Sequence, residues 1–171
     1  MSTSTIHVCP LSKVDETVVR VGAGRLISLL SAGTEMTRPA SLRAEDHLLL
    51  NMHDIAAEQD GMTLPGEIHV RRLLDFAESW NRARPLAINC YAGVSRSTAS
   101  AYIIAAALAP SRDEAELAAS LRRLSPTATP NPRLIAVADQ ILGRNGRMIA
   151  AIAAIGRGSD CFEGVPFGLE L

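Results

Sequence analysis

The stretch Leu86-Ala87-Ile88-Asn89-Cys90-Tyr91-Ala92-Gly93-Val94-Ser95-Arg96-Ser97, with the apolar run up to Leu108 behind it, decides how this chain folds. Leu86 to Asn89 is a short apolar run of the kind that forms a buried strand, and Ser97 to Leu108 reads as a helix stopped before Pro110. A short loop with glycine near its middle joins them. Where strands alternate with helices the sheet is mostly parallel, and ligands bind beyond the carboxyl ends of its strands. Cys90 stands at such an end.

Upstream, Ile6 to Cys9 is a β-prone run, and Leu11 to Val21 carries Val14, Val18 and Val21 near one helical face. Arg25 to Leu30, closed by the turn Ser31-Ala32-Gly33, and His47 to Asn51 suit buried strands. From Gly66 to Arg82, Ile68, Val70, Leu73, Leu74, Ala77 and Trp80 recur at helical spacing between Pro65 and Pro85.

Downstream, Ser111-Arg112-Asp113-Glu114 opens a helix to Leu124, and Pro126, Pro130 and Pro132 break it. A further helix runs from about Pro132 to Leu142, with Gly143 and Gly146 beyond. The expectation is a single α/β domain over residues 1–171 with a small, mostly parallel central sheet, helices on both faces and a helical C-terminal half. The motif-bearing part spans about 48–142, and 143–171 is an extension.

Composition agrees with one packed core: 47% of the 171 residues are hydrophobic, many of them alanine, which suits close helix packing. A formal charge of -1 supplies no global field for nucleic acid or an anionic membrane, so any anion site must be local. The polar start Met1 to Thr5 lacks a signal-peptide pattern, and the apolar stretch Met148 to Ile155 falls far short of the roughly 20 residues a membrane helix needs. A cytoplasmic protein is expected. Cys9, Cys90 and Cys161 form neither a disulfide framework nor, with His7, His47 and His69, a metal-ligand spacing. No metal or cofactor is expected.

The loop has the parts that phosphoryl transfer needs. A phosphate ester repels nucleophiles with its negative oxygens, so a catalyst must neutralise them while holding a strong nucleophile in line. A loop curled between strand and helix can aim the N–H groups of Tyr91, Ala92, Gly93, Val94, Ser95 and Arg96 at an anion near the helix start. Gly93 permits the curl. Arg96 can grip two phosphate oxygens with its planar fork, as lysine could not. The same positive surroundings favour the thiolate of Cys90, and the Ser97 hydroxyl can donate to that sulfur as it leaves an intermediate. Against this stands the ordinary reading of a lone cysteine as a small buried hydrophobe.

With Cys90, Gly93, Arg96 and Ser97 so placed, the chain resembles the protein tyrosine phosphatase superfamily, in particular its small dual-specificity-like group, whose loop reads His-Cys-x-x-Gly-x-x-Arg followed by Ser or Thr. Ser125-Pro126, Pro130-Asn131 and Ala138-Asp139-Gln140-Ile141-Leu142 are similar to the elements that follow the loop in that group, so the resemblance covers roughly Leu48 to Leu142. It implies a phosphotyrosine or mixed phosphoprotein substrate, or a small phosphomonoester. It also implies an aspartate about thirty residues before the cysteine, just past a strand, as general acid. Asp54 fits that place, with Asp60 on the same loop as its competitor and His53 as a residue that could orient acid or substrate.

Asn131 could brace the loop or cap the last helix. Asn89 departs from the pattern, since an amide cannot bring the positive charge of the usual histidine. A catalytically weak or inactive module that binds phosphorylated partners therefore stays open beside the enzyme, and a sulfurtransferase or arsenate reductase is a poorer match.

Overall fold

The computed structural model describes residues 4–171. Five strands form one sheet: β1 (Thr5–Pro10), β2 (Arg25–Leu30), β3 (His47–Asn51), β4 (Leu86–Cys90) and β5 (Phe167–Glu170), in the order β3-β2-β4-β1-β5. All neighbours are parallel except β5, which runs antiparallel to β1. β4 is central, and its register places Cys90 opposite Pro10 at the carboxyl end of β1.

Side chains alternate across the sheet, as the pleat requires. Ile6, Val8, Ile27, Leu29, Leu86, Ile88 and Cys90 enter the larger core, whereas Cys9, Leu26 and Ala87 enter the smaller one. The helices α1 (Val14–Val21), α2 (Glu67–Glu78), α3 (Arg96–Leu108), α4 (Glu114–Leu124), α5 (Pro132–Ile141) and α6 (Arg147–Ile155) divide unequally. α1 alone covers the smaller face through Val14, Val18 and Val21, and the others cover the larger.

Helices thus lie on both faces of a small, mostly parallel sheet, as the sequence predicts. α3 runs through the middle of the larger layer, buried from Arg96 to Ala106, and its alanines and serines let the neighbouring helices approach closely. The C-terminal part is not purely helical. After α6 the chain returns to the sheet as β5 and covers the free edge of β1. Phe167-Gly168-Leu169-Glu170 is too short, and too interrupted by glycine, to announce a strand by its pattern.

Candidate active site

β4 delivers Cys90 to the carboxyl edge of the sheet, where the side chain is buried, and α3 begins at Arg96. The loop between them is held from outside by its carbonyls. The Cys90 carbonyl accepts from Asn89 Nδ2 at 3.2 Å. Backbone N–H groups of Leu11, Gly164, Thr129 and Asn131 donate to the carbonyls of Tyr91 (3.0 Å), Ala92 (2.8 Å), Val94 (2.9 Å) and Ser95 (3.2 Å). A trans peptide sets its C=O and N–H on opposite sides, and no cis bond occurs among the described residues. Peptide planarity therefore directs the N–H groups of Tyr91, Ala92, Gly93, Ser95 and Arg96 away from the donors that hold those carbonyls.

Gly93 is required there twice over. Its φ is +69°, and a Cβ on it would stand 2.7 Å from the Pro10 nitrogen and 2.9 Å from the Cys9 carbonyl carbon.

Arg96 is 6% exposed, and its Nη1 donates to the Met52 carbonyl (2.8 Å) and to Ser31 Oγ (3.2 Å). Its Nε is buried without a hydrogen-bond partner among the described residues. The guanidinium is thus anchored through Nη1 while its Nε is unsatisfied. Ser97, fully buried, places Oγ 3.0 Å from Cys90 Sγ.

Asp54 follows β3 and comes to the loop. Its Oδ1 accepts from Ser95 Oγ at 2.7 Å and from Asn131 Nδ2 at 2.9 Å, which leaves Oδ2 clear of both bonds on an exposed residue. Asp60 lies instead on an exposed turn closed by the Met62 N–H on the Gln59 carbonyl, with Gly61 at φ +73°. His53 orients neither acid. Its Nδ1 accepts from the Thr63 N–H (2.8 Å) while its own N–H donates to the Thr63 carbonyl (2.9 Å), fastening the two ends of the flap that carries Asp54.

Asn131 serves both functions considered for it. Its Oδ1 caps α5 by accepting from the N–H groups of Arg133 and Leu134, while its Nδ2 reaches Asp54 and its backbone N–H holds Ser95.

Sequence reasoning missed the support behind Asn89. Ser28 Oγ donates to Asn89 Oδ1 at 2.6 Å, and with its one proton so used it accepts from His47 Nε2 at 2.9 Å. Burial, and secondarily Arg38, hold the His47 pKa below its ordinary value. A lone serine inside the apolar strand Arg25–Leu30 was the available signal. Ser31, Met52, Leu11, Thr129 and Gly164 gave none, since they act through backbone groups or distant loops.

Cys9 lies in the smaller core, and burial pushes its thiol up to about 12, which suits a packed residue rather than a nucleophile. Cys161 is exposed. No three His, Cys, Asp or Glu side chains converge as a metal site among the described residues. No helix among them is long and apolar enough to cross a membrane.

Solved structures share this fold. A human tyrosine phosphatase-like serine/threonine/tyrosine-interacting protein superposes with a TM-score of 0.64 at 14% identity, covering 82% of this chain and 92% of that one. The PTP-2 phosphatase of Cydia pomonella gives 0.62 at 18% identity, with 79% and 84% covered. Human DUSP28 gives 0.61 at 16% identity, with 88% and 95% covered. The fold is that of the dual-specificity phosphatases. No family profile and no curated protein matches the sequence. Within this dual-specificity phosphatase fold, the loop of Cys90 and the flap of Asp54 lie together at the carboxyl edge of the sheet.

Proposed function

We propose that this protein is a cysteine-dependent phosphatase acting on phosphomonoesters, with phosphotyrosine or mixed phosphoprotein substrates favoured by the neutral loop residues Tyr91, Ala92, Val94 and Ser95. The observation that carries the proposal is the buried, unpartnered Nε of Arg96 at the end of a loop whose carbonyls are tied to other donors, which leaves its N–H groups to a ligand. A buried donor left unpaired is costly, and an oxyanion in the curve would satisfy it together with the amides.

In the first step the Cys90 thiolate forms a bond to phosphorus as the phosphorus to leaving-oxygen bond breaks. Asp54, through Oδ2, gives that oxygen its proton. In the second, water attacks phosphorus, Asp54 takes a proton from the water, and the sulfur leaves as thiolate beside the Ser97 hydroxyl. Arg96 and the loop amides carry the equatorial oxygens throughout.

A reducing assay with p-nitrophenyl phosphate between about pH 5 and 8 tests this. Turnover should vanish in Cys90→Ser, and Asp54→Ala should lower kcat about 10²-fold or more while tungstate still binds. Tungstate binding without turnover in the wild-type chain would establish instead the phosphate-recognition module, the reading favoured by the neutral amide of Asn89 beside the cysteine. Neither binding nor turnover would reject both.

A further inference from the structure

Beyond α6 the chain makes a strap along the outer side of the loop, against the Ala92 carbonyl, before it becomes β5. Gly156, at φ +65°, ends the helix. Gly158 then packs so tightly on the turn after α4 that a Cβ would stand 2.5 Å from the Thr127 carbonyl carbon, and its N–H donates to Thr129 Oγ1 at 3.0 Å. The Ser159 N–H donates to the Pro126 carbonyl at 2.9 Å. Further on, Glu163 accepts from Ser12 Oγ at 2.8 Å, and the Gly164 N–H donates to the Ala92 carbonyl at 2.8 Å. The strap is therefore fixed on both sides of Gly164, and β5 anchors its far end.

The bond at Ala92 differs in kind from the others in the strap, because Ala92 shares its peptide plane with the Gly93 N–H. Gly164 is also the only type of residue that fits. A Cβ there would be 2.7 Å from the Gly93 carbonyl oxygen, closer than real side chains approach. The absence of a side chain lets the strap lie flat on the Gly93 peptide, which is itself pressed on Cys9 and Pro10 from the other side.

We infer that Gly164 is a positioning residue of the oxyanion site, its N–H holding the Ala92 carbonyl outward so that the Gly93 N–H faces a bound oxyanion. The inference rests on the phosphatase reading of the loop. It makes the C-terminal strap part of the site's construction, although it lies far outside the sequence motif.

Titration of the full chain with tungstate tests it, comparing wild type, Gly164→Ala and Gly168→Ala. Gly168 is also crowded, its Cβ meeting the His7 side chain at 2.9 Å, but it sits in β5 away from the loop. Gly164→Ala should bind tungstate about 10-fold more weakly, because one charge-assisted donor is turned away. Gly168→Ala should stay within about twofold of wild type even where its melting temperature falls. Equal tungstate affinity in wild type and Gly164→Ala, or an equal loss in both variants, overturns the inference. A wild-type chain that binds no tungstate overturns the phosphatase reading and this inference with it. Should Gly164→Ala not fold, amide exchange in the wild-type chain decides: tungstate should slow exchange of the Gly164 N–H, and unchanged exchange overturns the inference.

Discussion

At the scale of single residues, Asn131 joins two demands that are usually separate, since one amide caps a helix with its oxygen and holds a carboxylate with its nitrogen. Asn131→Asp keeps an excellent cap while setting a like charge against Asp54. Its melting temperature should stay close to wild type, whereas kcat should fall about 10-fold or more with tungstate affinity changed little. An unchanged kcat would mean that the Asn131 contact does not place the acid. Ser28 offers a complementary case. Ser28→Ala strips the buried Asn89 carbonyl oxygen of its donor and should cost about 1 to 3 kcal/mol in urea unfolding. Wild-type stability would show that Asn89 finds another partner. Cys90, Gly93 and Arg96 were legible in the sequence because short-range spacing alone fixes their relation. Ser28 and His47 were not, because strand register brings them to Asn89 and register is a property of the folded sheet.

At the scale of elements, the parallel strands and the helices α1 to α5 followed from apolar runs, helical periodicity and the glycine and proline breaks between them, with boundaries shifted by a few residues. α6 and β5 did not, because an alanine-rich run between glycines and a four-residue strand each carry little periodic signal. What holds this end of the chain is long-range. Arg122, on α4, donates to the carbonyls of Ser125, Pro126 and Ala128 and to those of Ile155 and Gly156, tying the end of α6 to the turn that supports the loop. A planar fork can serve both groups of acceptors and an ammonium cannot. Arg122→Lys should therefore lose about 2 kcal/mol of stability and speed amide exchange across residues 155–164 before the rest of the chain. Uniform acceleration over the whole molecule would show that the arginine supports global rather than local order.

At the scale of the whole molecule, buried titratable groups set the pH range in which the fold holds, and their shifts act in the same sense on the acid side. His7, His47 and His69 all have folded pKa values lowered chiefly by burial. Below about pH 6.5 the unfolded chain then binds more protons than the folded one, so stability falls as pH falls. Glu114, nearly buried between Arg144 and Arg147, has its pKa lowered first by the Arg144 hydrogen bond. Its contribution is present above the unfolded carboxylate value and is lost as pH drops through the folded one. Acid loss should thus come in two stages, and Glu114→Gln should shrink the lower stage, to which Glu116 also contributes, while costing about 3 kcal/mol at neutral pH by leaving the half-buried Arg144 without its counter-charge. On the alkaline side Cys9 governs the onset. Its thiol is raised from 9.0 to about 12, so above pH 9 the unfolded chain ionises first. At pH 10 that single difference destabilises the fold by roughly 1 kcal/mol. Tyr102, also raised by burial, joins only at higher pH. Urea midpoints from pH 4 to 10.5 should therefore form a plateau near neutrality with shoulders on both sides. Cys9→Ala should flatten the segment between pH 9 and 10 and leave the acid side unchanged; the same alkaline decline in that variant would transfer the effect to another group.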